Sequence, residues 1–338
     1  MKYSNDKKKA IVLYILEKIS SGEKHLSKAV ANAFEISTNT AHSYINDLVK
    51  NGIVEKSKRG EYNLITRCDV YNFKRSNGDL KTDTVAYDVC FKEYVSLLPE
   101  NVNHIWIYSL SEMVNNVIDH SSAENMRVTV SHNYFNTSVI ISDDGVGIFE
   151  KIKNHFSLND LDEAICELFK GKLTTDAANH SGEGIFFTSK MMDTFLISSD
   201  KKIFTTSKYS NDQIADFDNA GEGTHVFMSL SNFTNRSARE VFDLYSDVDG
   251  GFSTTRIPLK NIFDSAPVSR SQAKRICNRL ENFGEAILDF ENIEWMGQGF
   301  AHQMFVVYQN AHPDISIKPI NMNDSVRSMY NHVIKTIL

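Results

Sequence analysis

A chain of 338 residues, 41% hydrophobic and 23% charged, suits two or three globular domains, and it has no run of 18 apolar residues that would span a membrane. Its net charge of −7 is uneven: residues 1–67 carry five surplus positive charges and the remainder twelve surplus negative ones, so only the N-terminal end invites a polyanion. The basic start breaks its apolar part with charges, unlike a secretory signal. Cys68, Cys90, Cys166 and Cys277 form no CxxC pair, so reduced thiols in the cytoplasm are expected, without disulfides or zinc.

The first predicted elements are three helices. "KKKAIVLYILEKISSG" ends at Ser-Ser-Gly, "LSKAVANAFEI" is short, and "STNTAHSYINDLVKNGI" has Ser37 or Thr38 as its N-cap. "VEKSKRGEYNLI" then reads as a hairpin turning at Arg59-Gly60. Three helices and a basic two-stranded wing resemble the winged helix-turn-helix family over about residues 7–66, giving an expected domain at 1–67. The resemblance implies that Thr38, Asn39, Thr40, Ser43 and Tyr44 reach bases or phosphates in a major groove. Lys56, Lys58 and Arg59 would meet backbone phosphates. The alternative use of such a fold is protein contact.

The next helix contains "SLSEMVNNVIDHSS", residues 109–122. Leu110, Met113, Val114, Val117 and Ile118 follow helical spacing, yet Glu112, Asn115, Asn116, Asp119 and His120 crowd the same turns. "RVTVSHNYFNTSVIISDDGVGI" reads as two strands running into Asp143-Asp144-Gly145-Val146-Gly147. Glycines there permit close approach of a ligand, and a carboxylate before them can accept from an exocyclic amino group. A helix, a polar tract and Ser181-Gly182-Glu183-Gly184 precede another helix, whose N-terminal amides suit phosphates. No Walker A loop is present, and the Rossmann pattern is incomplete. "AGEGTHVFMSL" then puts Gly223-Thr224 at a strand start.

In this order, Glu112xxxAsn116, DxGxG, Gly-x-Gly and Gly-Thr resemble the GHKL ATPase family over about residues 80–232. The resemblance implies a Bergerat α/β sandwich at 68–235 holding ATP and Mg²⁺. Asn116 would bind Mg²⁺ and Glu112 would serve as general base. Asp143 would read adenine with Gly145 and Gly147 beneath it, Gly182 and Gly184 would meet the phosphates, and Thr224 would sit near the base. Residues 150–181 would form an ATP lid, with Lys170, Lys172, Thr174 and Thr175 reaching phosphates. A dimer is expected by the same analogy. No phospho-accepting histidine helix precedes the domain, and too little chain follows for a transducer with a cleavage module. The compact anti-sigma-type serine kinase is therefore the nearest architecture.

"SDVDGGFSTT" at 246–255 is the expected flexible junction. Beyond it, helix, strand, helix, strand and helix alternate from residue 269. "LDFENIEWMGQGFAHQMF" resembles a STAS-like group that occurs with GHKL ATPases, over about 255–335, giving an expected domain at 236–338 that could dock a protein partner. STAS antagonists carry a phosphorylated serine at the start of the second helix. Here Met296-Gly297-Gln298-Gly299 has none, which counts against self-phosphorylation and leaves Gly297 and Gly299 most simply as packing residues. The fold class expected is thus multidomain α+β. Its function would be an ATP-dependent switch acting on DNA or a partner, the alternative being a serine/threonine kinase acting on a separate protein.

Overall fold

The computed structural model describes residues 3–58, 60–84, 87–95, 97–173, 182–206, 214–216, 222–247, 249, 251–263 and 266–335. It is a mixed α/β, multidomain structure. The chain divides into two units. One contains Met1–Val70, Thr129–Val139 and Ser229–Thr234, and the other contains Tyr71–Val128, Ile140–Met228 and Asn235–Leu338. No described helix is long and apolar enough to cross a membrane.

In the first unit, α1 (Asn5–Ser20), α2 (Leu26–Phe34) and α3 (Thr38–Lys50) are followed by an antiparallel hairpin of β1 (Val54–Lys58) and β2 (Glu61–Leu64). Ile11, Ile15 and Ile19, Leu26 and Val30, and Ala41, Ile45 and Leu48 recur at three- or four-residue steps and share one core. The Ser37 hydroxyl accepts from the Thr40 amide at 3.1 Å and caps α3.

A seven-stranded sheet has the order β3-β4-β5-β9-β6-β7-β8. Its strands are β3 (Arg67–Lys74), β4 (Asn125–His132), β5 (Asn136–Asp143), β6 (Thr194–Ser199), β7 (Lys202–Thr205), β8 (Ile214–Asp216) and β9 (Thr224–Ser231). The helices that matter for the site are α4 (Glu100–Asn115), α5 (Ile148–His155), α6 (Leu161–Lys170) and α7 (Gly184–Met191). α4 packs on α7 and α5 on α6. Trp106 of α4 is fully buried, with its ring 5.2 Å from that of Phe91.

The last part is a parallel sheet, β10 (Thr254–Pro258), β11 (Glu285–Asp289) and β12 (Ser316–Ile320), with helices α9 (Arg270–Cys277), α10 (Gln298–His302) and α11 (Asp324–Lys335). α8 (Ala238–Tyr245), opened by a Ser237–Glu240 capping box, leads into it. The Gly297 amide donates to the Pro267 carbonyl and the Phe300 amide to that of Val268, so the start of α10 is packed against the preceding loop. Within the expected flexible junction, Phe252 is anchored. Phe252 is buried, with its ring 4.6 Å from Phe186, 5.0 Å from Phe187 and 5.4 Å from Phe283.

An ionic cluster joins α6 to α9. Lys170, 1% exposed, sits 2.6 Å from Glu167 and donates to the carbonyls of Ile276 and Asn278 at the end of α9. A cation there suits the helix C-terminus. Arg279 lies 3.5 Å from the other Glu167 oxygen, and Arg275 lies 3.2 Å from Asp160. Burial raises the Glu167 pKa, opposed by Lys170 and Arg279. Lys170→Met should cost about 3 kcal/mol, the low end of breaking a buried pair, because Arg279 stays near Glu167. Urea unfolding checks this, and the Glu167→Leu/Lys170→Met double variant should recover most of the loss. A single-variant loss below about 1 kcal/mol would rule out a structural role for the pair.

Candidate nucleotide-binding site

The polar crowding in α4 resolves into two faces. Ile105, Trp106, Ser109, Leu110 and Val114 are buried in the domain, whereas Glu112, Met113, Asn115, Asn116 and His120 line a cavity of about 370 Å³. At Asn116 the helix widens into a π turn, Asn116–Ser121, and stops at Ser122 with φ 56°. Such widening displaces side chains from the regular helical track and recurs at functional sites. Arg75 fixes this end by donating to the carbonyls of Ala123 at 2.7 Å and Ile118 at 3.1 Å.

Asp143 and Asp144 are separated by their surroundings. Asp144 accepts from the Asn125 side-chain nitrogen at 2.6 Å and from the Asn125 backbone amide at 2.8 Å, which holds its pKa low. Asp143 is buried at the cavity wall, 6% exposed. Burial pushes its pKa up to about 6, against hydrogen bonds from the Gly145 and Thr224 amides. Thr224 also lines the cavity, and its hydroxyl accepts from the Ile148 amide at 3.2 Å.

The glycines make room for protein as well as ligand. A Cβ on Gly147 would lie 1.9 Å from Asp200 Oδ1. The Asp200 carboxylate occupies that space because it caps α5, accepting from the amides of Phe149 and Glu150 at 3.1 Å. A Cβ on Gly184 would lie 1.9 Å from Glu112 Oε2, so this glycine lets the carboxylate reach the start of α7. Tyr108, one turn before Glu112, has its phenol pKa raised by burial, then by Glu112 and Glu183, so it stays protonated beside them. The sequence does not single out Asp200, Tyr108 or His120 for a role in the site. Asp200 carries no local motif, since its role is a contact made across the fold.

Glu112, Asn116, Asp143, Gly182, Gly184 and Thr224 thus come together around one cavity. The Gly145 amide donates to the Asp143 carboxylate at 2.9 Å, and Gly147 lies against the Asp200 carboxylate. Lys172 turns elsewhere. Its ammonium donates to the Asn282 carbonyl at 2.8 Å and sits over the rings of Phe252 and Phe283. Lys170 is likewise committed to α9, because desolvated carbonyls and a carboxylate outcompete an open loop for its charge. Thr174 and Thr175 lie outside the described residues. Of the residues expected at DNA, Thr38, Asn39 and Ser43 are exposed on α3, as are Lys56 and Lys58 on β1. Thr40 is hydrogen-bonded to Ser37, Tyr44 is half-buried against the core, and Arg59 lies outside the described residues.

Two stretches match family models. Residues 107–233 match the histidine kinase-, DNA gyrase B-, and HSP90-like ATPase family, and residues 272–327 match the STAS-like domain of unknown function (DUF4325). A search of curated proteins finds no match. The chain therefore carries a GHKL-type ATPase domain followed by a STAS-like domain, and the former supports ATP binding, usually with Mg²⁺. The cavity fits that chemistry. Its volume is in the range of small-molecule pockets, and it offers a buried carboxylate, an amide side chain and glycine backbone. Mg²⁺ needs few protein ligands when phosphates and waters complete its shell, so the Asn116 amide oxygen would suffice to hold it.

Proposed function

We propose that the chain is an ATP-hydrolysing switch, with DNA contacted by a winged helix-turn-helix at residues 1–67 and ATP held between α4, α5 and α7. The observation that carries it is the convergence of Glu112, Asn116, Asp143, Gly184 and Thr224 on one cavity inside the matched ATPase segment. In this reading Asp143 accepts from the adenine amino group and Asn116 holds Mg²⁺, which neutralises phosphate charge when bound. Glu112 takes a proton from the attacking water. ATP-dependent pairing of two copies would bring two DNA-contacting ends together and so alter binding to DNA.

A second reading is favoured by the STAS-like domain beside the ATPase. It is a kinase in which Glu112 activates a serine or threonine hydroxyl of a separate partner docked through that domain. Incubation with γ-labelled ATP and cell extract, with and without DNA, separates the two. Released phosphate supports the switch and label on a protein supports the kinase. If neither forms while ATP binds, both reaction schemes fail.

The surplus of five positive charges at 1–67 predicts DNA binding that falls steeply with salt. Replacing Lys56, Lys58 and Arg59 by alanine should weaken binding to all sequences alike and reduce the salt slope by about 2–3, near 0.9 for each phosphate no longer neutralised. Fluorescence anisotropy with random and genomic duplexes measures this. An unchanged slope would remove the wing from the interface, and no binding at low salt would make the N-terminal fold a protein-contact module.

A further inference from the structure

Helix α5 presents Ile148, Lys151 and Ile152 to the cavity, three positions that share one helical face. Lys151 is the only lysine or arginine among the described residues lining it. The lysines expected there, Lys170 and Lys172, are engaged with the C-terminal module instead. The lining otherwise contributes two carboxylates, Glu112 and Asp143. A nucleotide phosphate beside them meets like charge. An ammonium in the cavity offsets that repulsion.

The Lys151 ammonium has the reach. It crosses from α5 to donate to the His120 carbonyl, within the same widened turn that begins at Asn116. No carboxylate pairs with it among the described residues, and burial lowers its pKa. A half-buried cation held only by a carbonyl gains when an anionic oxygen arrives.

We propose that Lys151 binds the phosphate chain of the nucleotide, exchanging the His120 carbonyl for a phosphoryl oxygen. The proposal rests on the ATP reading of this cavity and names a contact on α5 in place of Lys170 and Lys172. It is tested by calorimetric titration of the full chain with adenosine, ADP·Mg and ATP·Mg, for the wild type, Lys151→Gln and Lys151→Arg. Lys151→Gln should lose tenfold or more in ATP affinity, with a loss for ADP as well, while adenosine affinity stays within about twofold. Lys151→Arg should recover most of the ATP affinity. Adenosine binding also reports that the variant is folded. Equal losses for all three ligands would make Lys151 merely structural, and unchanged ATP affinity would remove it from the phosphates. Either result overturns the proposal while leaving ATP binding intact. If the wild type binds none of the three, the ATP reading fails and the proposal with it.

Discussion

Glu112→Gln should lower ATP turnover by about 10²-fold or more while leaving ATP affinity within a few-fold of wild type. The carboxylate lies against the start of α7, where a Gly184 Cβ would strike it, and one turn from Asn116 on the cavity wall. In the proposed reading this is the phosphate end, where Glu112 would accept a proton rather than read the base. Glutamine keeps the size and hydrogen-bonding reach of the side chain but cannot take the proton. The loss should therefore appear in kcat and leave KM nearly unchanged. Steady-state phosphate release with a parallel binding titration measures both. Normal turnover in Glu112→Gln would remove the general-base role and leave Glu112 as a wall residue.

Asp143→Asn should weaken adenosine binding by about 10–100-fold, the loss of a charge-assisted hydrogen bond worth about 1.5–3 kcal/mol. The pH profile makes the test sharper. Burial raises the Asp143 pKa from 3.8 to about 6, so its ionised form is present above that value and is lost as pH falls through it. Adenosine affinity should accordingly drop below about pH 6 in the wild type and stay flat in Asp143→Asn. Adenosine is the suitable ligand because it has no phosphate to titrate in that range. The effect on folding has the opposite sign. The folded state binds this proton more tightly than the unfolded chain, so this group costs stability above pH 6. The cost is relieved as pH falls from about 6 toward 3.8. Affinity without any pH step would mean that Asp143 does not touch the base.

Local features were the most legible in the sequence. Helix α4 declared itself because Leu110, Met113 and Val114 keep helical spacing, and the strand into Asp143 carries the apolar run Val139-Ile140-Ile141. The glycine boxes marked the site, but what fills the space beside them was hidden, since Asp200 reaches Gly147 from more than fifty residues away. The lysines misled for a related reason. A lysine stem can carry its charge to either side of the backbone, and the acceptors that decided the matter, Asn278 and Asn282, lie about a hundred residues downstream. Lys151 escaped notice because only the placement of α5 shows which of its three faces meets the cavity. Strand β10 was equally obscure: "TTRIP" is short, ends in proline and gains its strand character from the parallel partner β11.

The central claim is that this cavity binds ATP. Isothermal titration calorimetry of the full chain with ATP·Mg, beside GTP·Mg and beside Asp143→Asn, tests it most directly. The account predicts saturable binding at one site per chain, with ATP preferred over GTP and the binding greatly weakened in Asp143→Asn. No saturable binding at millimolar ATP, or the same isotherm from wild type and Asp143→Asn, would contradict it.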